Sequence, residues 1–296
     1  MTRLGLLFAG QGAQHPGMGA QLYESSPAAR KIYDQADAIL SWPISRLCFE
    51  GPQEDLTACA HCQPAIYITS LAAWAARSEA PQADETPAIA GGLSLGELAA
   101  LTVAGAFDFE TGLKAVAERG RLMDELCRRT HGAMAAILGG EPSRVAQVAE
   151  AHGIDVANYN CPGQLILSGE AELVKAACEE LVPEVMKIVH LEVAGAYHSR
   201  LMRPAGEAFR AFLENLPMRK PSLPLVHNVT GELAVPEPAA LRERLTEQIY
   251  SPVRWEECCR AIMQQCDKLL ELGPGQVLTG LARRIDRRFP AETTNL

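Results

Sequence analysis

Apolar residues run almost unbroken from Leu4 to Ala9 and stop at Gly10-Gln11-Gly12, a pattern that predicts a buried strand feeding a tight turn. From Pro27 to Leu40, and again from Pro64 to Arg77, apolar residues fall three and four apart. This spacing predicts two helices, with Pro43, Gly51 and Pro52 breaking the chain between them. Ser78 to Pro87, rich in Pro, Ala and acids, is expected to be a surface connection. Ala88 to Leu93 is a second short apolar run, and at Ser94 the period changes to that of a helix over Leu95 to Val103. A further helix is predicted over Phe109 to Arg129.

From His131 the segments shorten and alternate. Strands are predicted over Ala133 to Leu138, Ile154 to Tyr159, Gln164 to Ser168 and Val185 to Glu192, with helices over Ser143 to Ala151 and Ala171 to Leu181. The order β-α-β-β-α-β is that of the ferredoxin-like split unit. It predicts a small subdomain at 130–196, inserted into a larger one made of 1–129 and 197–296. After Ala196 long helices return, with short strands expected at Pro224 to Asn228 and Lys268 to Leu272. The whole reads as an α/β architecture.

Composition narrows the class. The 296 residues are 48% apolar and 21% charged, ordinary globular usage that excludes a disordered or fibrous chain. With 27 basic against 36 acidic side chains the net charge is -9, so no nucleic acid and no anionic membrane surface is expected as a partner. No stretch approaches the about 18 apolar residues of a membrane span, and the glycine-broken N-terminus is too short for a signal segment. Nine cysteines at irregular spacing suggest reduced thiols. Together these features predict a cytoplasmic protein.

Gly92-Leu93-Ser94-Leu95-Gly96 matches the G-x-S-x-G elbow, and its flanks read as the required strand and helix. Such a turn lifts a serine hydroxyl out of the sheet, where it needs a base within hydrogen-bond reach. Of the seven histidines, His131, His152 and His190 lie beside element ends, His15 follows the glycine turn, and His198 sits where the inserted unit rejoins the main one. Spacing does not choose among them.

The glycine turn Gly10 to Gln14, Gln63-Pro64-Ala65, Gly92 to Glu97, Arg119-Gly120, Asn160 to Gln164, Tyr197-His198-Ser199, Gln248 to Val253 and Glu271 to Gly275 occur in one order along nearly the whole chain. In this order they resemble the malonyl-CoA:acyl carrier protein transacylases. The resemblance implies an α/β-hydrolase-like large subdomain with the ferredoxin-like insert. It implies that a malonyl group moves from malonyl-CoA, through an ester on Ser94, to the phosphopantetheine thiol of acyl carrier protein in fatty acid biosynthesis. His198 would be the base, oriented by a carbonyl at Gln248, with backbone N–H groups of Gln11 and Leu95 as the oxyanion hole. Arg119 would grip the malonyl carboxylate, and Gln11, Leu93, Met123, Asn160 and Tyr197 would line the substrate site. Acyl carrier protein and a CoA thioester are the implied partners, and no bound cofactor is expected.

Leu93 departs from the family, which mostly has histidine there; leucine occurs in polyketide acyltransferases, so a polyketide role is the alternative, alongside hydrolysis of carrier-bound acyl groups by the same serine. Tyr197 stands where phenylalanine is common. No metal site is expected, because Cys59-Ala60-His61-Cys62 lacks a second ligand pair. Arg283, Arg284, Arg287 and Arg288 are expected as two i, i+4 pairs on one helix side, a basic face suited to an acidic carrier protein.

Overall fold

In the computed structural model, which describes residues 1–79, 84–193 and 195–294, the first apolar run is strand β1 (Thr2–Phe8). It is an inner strand of a parallel sheet with β2 (Glu85–Gly92), and both of its faces are covered. Leu4, Leu6 and Phe8 enter one core cluster and Leu7 the opposite one, the period-two division expected of a strand between two helical layers. The helices Cys59–Glu79, Gly96–Val103 and Phe109–Cys127 supply the first layer, and Trp255–Met263 and Val277–Ile285 the second.

A second, antiparallel sheet contains β3 (Gly132–Leu138), β4 (Asp155–Cys161), β5 (Gln164–Glu170) and β6 (Lys187–His190), in the order β4-β5-β3-β6. Ala135, Ile137, Leu165 and Leu167 point to the helices Pro142–Ala151 and Ala171–Leu181, while Met134, Ala136 and Ile166 join the main core. The remaining strands, β7 (Lys268–Leu272) and β8 (Ala291–Thr293), complete the first sheet as β2-β1-β7-β8. Phe8 pairs with both Gly92 and Leu272, so β1, β2 and β7 end at one edge. That carboxyl edge is where parallel α/β sheets form ligand crevices.

Several expectations are corrected. Pro224 to Asn228 is not a strand: Leu225 makes one bridge to Ala90 and Val226 one to Leu233. Proline has no N–H to give the ladder, and the backbone N–H groups of His227 and Asn228 go to the Glu232 carbonyl and the Glu97 carboxylate instead. The helix expected from Pro64 begins at Cys59, with Pro64 inside it. The predicted Val185 to Glu192 strand shortens to β6, after a 3-10 turn at Val182–Glu184. Of the expected connection, 80–83 lie outside the described residues, Ser78 and Glu79 are helical, and Glu85 to Pro87 belong to β2. The helix carrying Arg283 and Arg284 stops at Ile285, so Arg287 and Arg288 lie beyond it and the two i, i+4 pairs do not form.

Candidate active site

Ser94 occupies the turn between β2 and the helix Gly96–Val103, with φ 54°. A left-handed backbone at a residue other than glycine is strained, and such strain persists only where the surroundings fix it. Here the Ser94 N–H donates to Asn228 Oδ1 at 2.6 Å, and Asn228 Nδ2 donates to the Gly92 carbonyl at 2.8 Å. The flanking glycines permit the close crossing: a Cβ on Gly92 would collide with the Gly96 backbone, and one on Gly96 with the Phe8 backbone. A strand-to-helix turn this tight excludes side chains at both positions.

The chain brings His198 to this turn from more than a hundred residues away. Its backbone is also left-handed, φ 56°, and its Nε2 lies 2.8 Å from Ser94 Oγ. Nδ1 lies 2.7 Å from the Gln248 backbone carbonyl, which can only accept, so Nδ1 carries the proton and Nε2 presents its lone pair to the hydroxyl. Burial, reinforced by the positive charge of Arg119, lowers the His198 pKa to about 4. The imidazole is therefore neutral at neutral pH, the state in which it can take a proton.

Arg119 is buried on the helix Phe109–Cys127, 1% exposed. Its neighbours Arg121, Arg128 and Arg129 pair with Glu118, Asp124 and Glu125 of the same helix. Arg119 instead donates from Nη2 to Ser94 Oγ and to Gln248 Oε1, each at 3.0 Å, and from Nη1 to Gln63 Oε1 at 2.7 Å. Burial lowers its pKa to about 10, which leaves it charged at neutral pH.

These groups sit at one side of a cavity of about 340 Å³ between the two sheets. Ser94, His198, Gln11, Leu93, Met123, Asn160 and Tyr197 line it; Arg119, outside that lining, reaches the Ser94 hydroxyl, and the Gln248 side chain donates to the Ser94 backbone carbonyl at 3.0 Å. Met134, Asn158, Asn160 and Ile166 line it from the antiparallel sheet. Asn160 Oδ1 and the Tyr197 hydroxyl are buried without a hydrogen-bond partner among the described residues, and burial pushes the Tyr197 phenol well up. No hydrogen bond engages the backbone N–H of Gln11 or of Leu95 among the described residues.

The Cys-x-x-Cys pair lies in the first turn of its helix, with both thiols buried and Cys59 donating to Gln11 Oε1 at 3.3 Å. Among the described residues no group of three or more His, Cys, Asp or Glu side chains is placed to hold a metal ion. Arg284, expected on an open basic face, donates to Gln164 Oε1 at 2.5 Å and to the Pro162 carbonyl at 3.4 Å, tying its helix to the β4–β5 turn.

Sequence reasoning did not assign roles to Gln63, Glu97, His227 or Asn228. All are buried polar groups around the serine turn. Glu97 carried a usable signal, a lone charged residue in the otherwise apolar stretch Gly96 to Leu101. Asn228 carried none, since it reaches Ser94 across 134 residues.

A family model described as the acyl transferase domain matches residues 6–280. The malonyl CoA-acyl carrier protein transacylase of Bacillus subtilis (strain 168) is 40% identical over 98% of this chain and 92% of its own length. The crystal structure of malonyl-CoA:acyl carrier protein transacylase from Xanthomonas oryzae pv. oryzae superimposes with a TM-score of 0.94 at 35% identity, covering 99% of this chain and 94% of that one. A malonyl-transacylase solved in complex with a type II PKS acyl-carrier protein gives a TM-score of 0.93 at 33% identity, over 99% and 96% of the two chains. With a strained serine, a neutral histidine and a buried arginine at one cavity, and with this likeness over almost its whole length, the chain belongs to the acyl transferase domain family.

Proposed function

We propose that this protein transfers a malonyl group from malonyl-CoA to the phosphopantetheine thiol of acyl carrier protein, in fatty acid biosynthesis. The observation that carries the substrate class is Arg119, a buried guanidinium 3.0 Å from Ser94 Oγ. A malonyl ester on that oxygen extends a free carboxylate by two carbons, within reach of the same guanidinium, whose planar fork matches it in two parallel bonds. An acetyl ester leaves the cation unpaired and buried.

His198 Nε2 takes the Ser94 proton as Oγ attacks the thioester carbon. The oxyanion is held by the free N–H groups of Leu95, the residue after the nucleophile, and of Gln11. The C–S bond breaks, and the CoA thiolate leaves as the thiol with the proton from His198. In the second half-reaction the carrier thiol gives its proton to His198 and attacks the ester carbonyl. The Ser94 oxygen then leaves and recovers the proton. A backbone carbonyl in place of a carboxylate behind His198 suffices because a thiolate departs more readily than an amine. Asn160 Oδ1, buried and unpartnered, is available to accept a hydrogen bond from bound substrate; Leu93, Met123 and Tyr197 shape the remaining wall.

The two sheets correspond in this reading to two subdomains: an α/β-hydrolase-like unit at 1–129 and 197–296, and a ferredoxin-like insert at 130–196 that roofs the cavity. The strand order β4-β5-β3-β6 supports the second assignment. Nine unpaired cysteines, all buried, support a reducing, cytoplasmic setting, and no helix among the described residues is long and apolar enough to cross a membrane. A second reading, malonyl supply to a polyketide carrier, is favoured by the likeness to the type II PKS transacylase. It uses the same chemistry and differs only in the acceptor.

Competition between malonyl-CoA and acetyl-CoA tests the substrate class. Wild-type protein is expected to prefer malonyl. Arg119→Ala should reduce that preference by about ten- to a hundredfold, the worth of a charged hydrogen bond. An unaltered ratio would remove Arg119 from this role.

A further inference from the structure

Glu97 is 2% exposed, does not line the cavity, and is not used by the steps above. Its Oε2 accepts from Gln248 Nε2 at 2.7 Å and from the Asn228 backbone N–H at 3.1 Å, and its Oε1 accepts from His227 Nδ1 at 2.6 Å. Three donors from two distant segments thus converge on one buried carboxylate. We propose that Glu97 is a positioning residue for the transfer, acting by fixing which way the Gln248 amide faces. This inference rests on the roles given above to Ser94, His198 and Arg119.

The Gln248 amide can face either way, and the two orientations are chemically opposite. In the structure Oε1 accepts from Arg119 Nη2, while Nε2 donates to Glu97 and, at 3.0 Å, to the Ser94 carbonyl. A carboxylate only accepts, so Glu97 admits the amide's N–H side and excludes its oxygen. Reversed, the amide would turn its N–H₂ against the guanidinium and its oxygen against the Ser94 carbonyl. Because the Gln248 backbone carbonyl also holds His198 Nδ1, this single residue connects the base, the nucleophile's peptide and the carboxylate-binding cation. Through Asn228, whose side chain holds the Ser94 N–H, the same carboxylate also reaches the strained turn.

His227 makes a conservative replacement informative. Its imidazole can present Nδ1 as donor or acceptor by changing tautomer. In Glu97→Gln, the new amide can give its N–H₂ to His227 and keep its oxygen toward Gln248 and Asn228. In Glu97→Ala the strongest of the three contacts that orient the Gln248 amide is gone, and only the Arg119 guanidinium and the Ser94 carbonyl remain.

The experiment measures Ser94 malonylation in a single turnover at saturating malonyl-CoA, together with the malonyl-to-acetyl ratio, on variants checked for folding. Losing a charged hydrogen bond that holds the site together predicts about a hundredfold slower acylation and at least a roughly tenfold lower ratio in Glu97→Ala. Glu97→Gln should recover about tenfold or more of the rate. A folded Glu97→Ala with wild-type rate and ratio would overturn the proposal, as would a Glu97→Gln no better than Glu97→Ala. Should Glu97→Ala not fold, E97Q/H227F decides. Phenylalanine removes the acceptor that the introduced amide needs, so the double variant should acylate about tenfold more slowly than Glu97→Gln, with H227F alone as the control. Equal rates would overturn it. If the wild-type protein itself forms no malonyl ester at Ser94, the functional reading fails; if it does and the variants are indifferent, only the role of Glu97 falls.

Discussion

His198 carries the most direct pH prediction. Its pKa falls from the ordinary histidine value of 6.5 to about 4, first through burial and then through the charge of Arg119. Because kcat/KM reports the free enzyme, its acid limb should lie well below pH 6.5, and Arg119→Ala should move that limb upward by removing the repulsion. An acid limb at 6.5 or above in the wild type would contradict this assignment. The same shift has a consequence for stability. Between pH 6.5 and about 4 the unfolded chain binds a proton at this histidine that the folded chain does not. Stability therefore drops as pH falls through that window, by roughly 3 kcal/mol at about 1.4 kcal/mol per unit. Ser94 was legible from its glycines and its change of period. Arg119 was less so, amid three other arginines, yet it falls at helical spacing in the buried stripe Val116, Gly120, Met123 and Cys127. Gln248 was expected to orient His198 through a carbonyl, and its backbone carbonyl lies 2.7 Å from His198 Nδ1; the contacts of its side chain are long-range and had no local signature.

At the level of elements, the tight crossing at the serine turn decides what the sequence can tolerate. Gly96 begins a helix with an ordinary helical backbone, so propensity alone favours alanine there by about 1 kcal/mol. Its missing Cβ, however, faces the Phe8 and Ala9 carbonyls of the strand end. Gly96→Ala should therefore lower stability by about 1–3 kcal/mol or more, measured by urea unfolding. A variant as stable as the wild type would show that the crossing has slack. Most elements were readable because each has an apolar period of its own. The failures have physical causes: β8 is three residues long and half-buried, and Pro64, of a residue type favoured in a first helical turn, marked a start five residues after the true one at Cys59. Pro224 to Asn228 looked like a strand because its apolar residues are buried, though they meet only single bridges.

For the molecule as a whole, Ser94 stands at the carboxyl edge of the parallel sheet, and Met134, Asn158, Asn160 and Ile166 of the antiparallel sheet line the same cavity. The two are joined by the Asn158–Val253 bridge and by Arg284 on the β4–β5 turn. Alternation along β3, β4 and β5 was legible, but not which face of that sheet meets the cavity, since this depends on a bridge to a residue about a hundred positions away. The open-mouthed cavity between the sheets suits a reaction in which an acyl group waits on the protein between two thiols. That covalent stop is the step on which the transfer depends. Brief mixing with malonyl-CoA, acid quench and peptide mapping by mass spectrometry should find a malonyl ester on Ser94 that disappears when carrier protein is added. Product forming at the normal rate while Ser94 stays unmodified would contradict it.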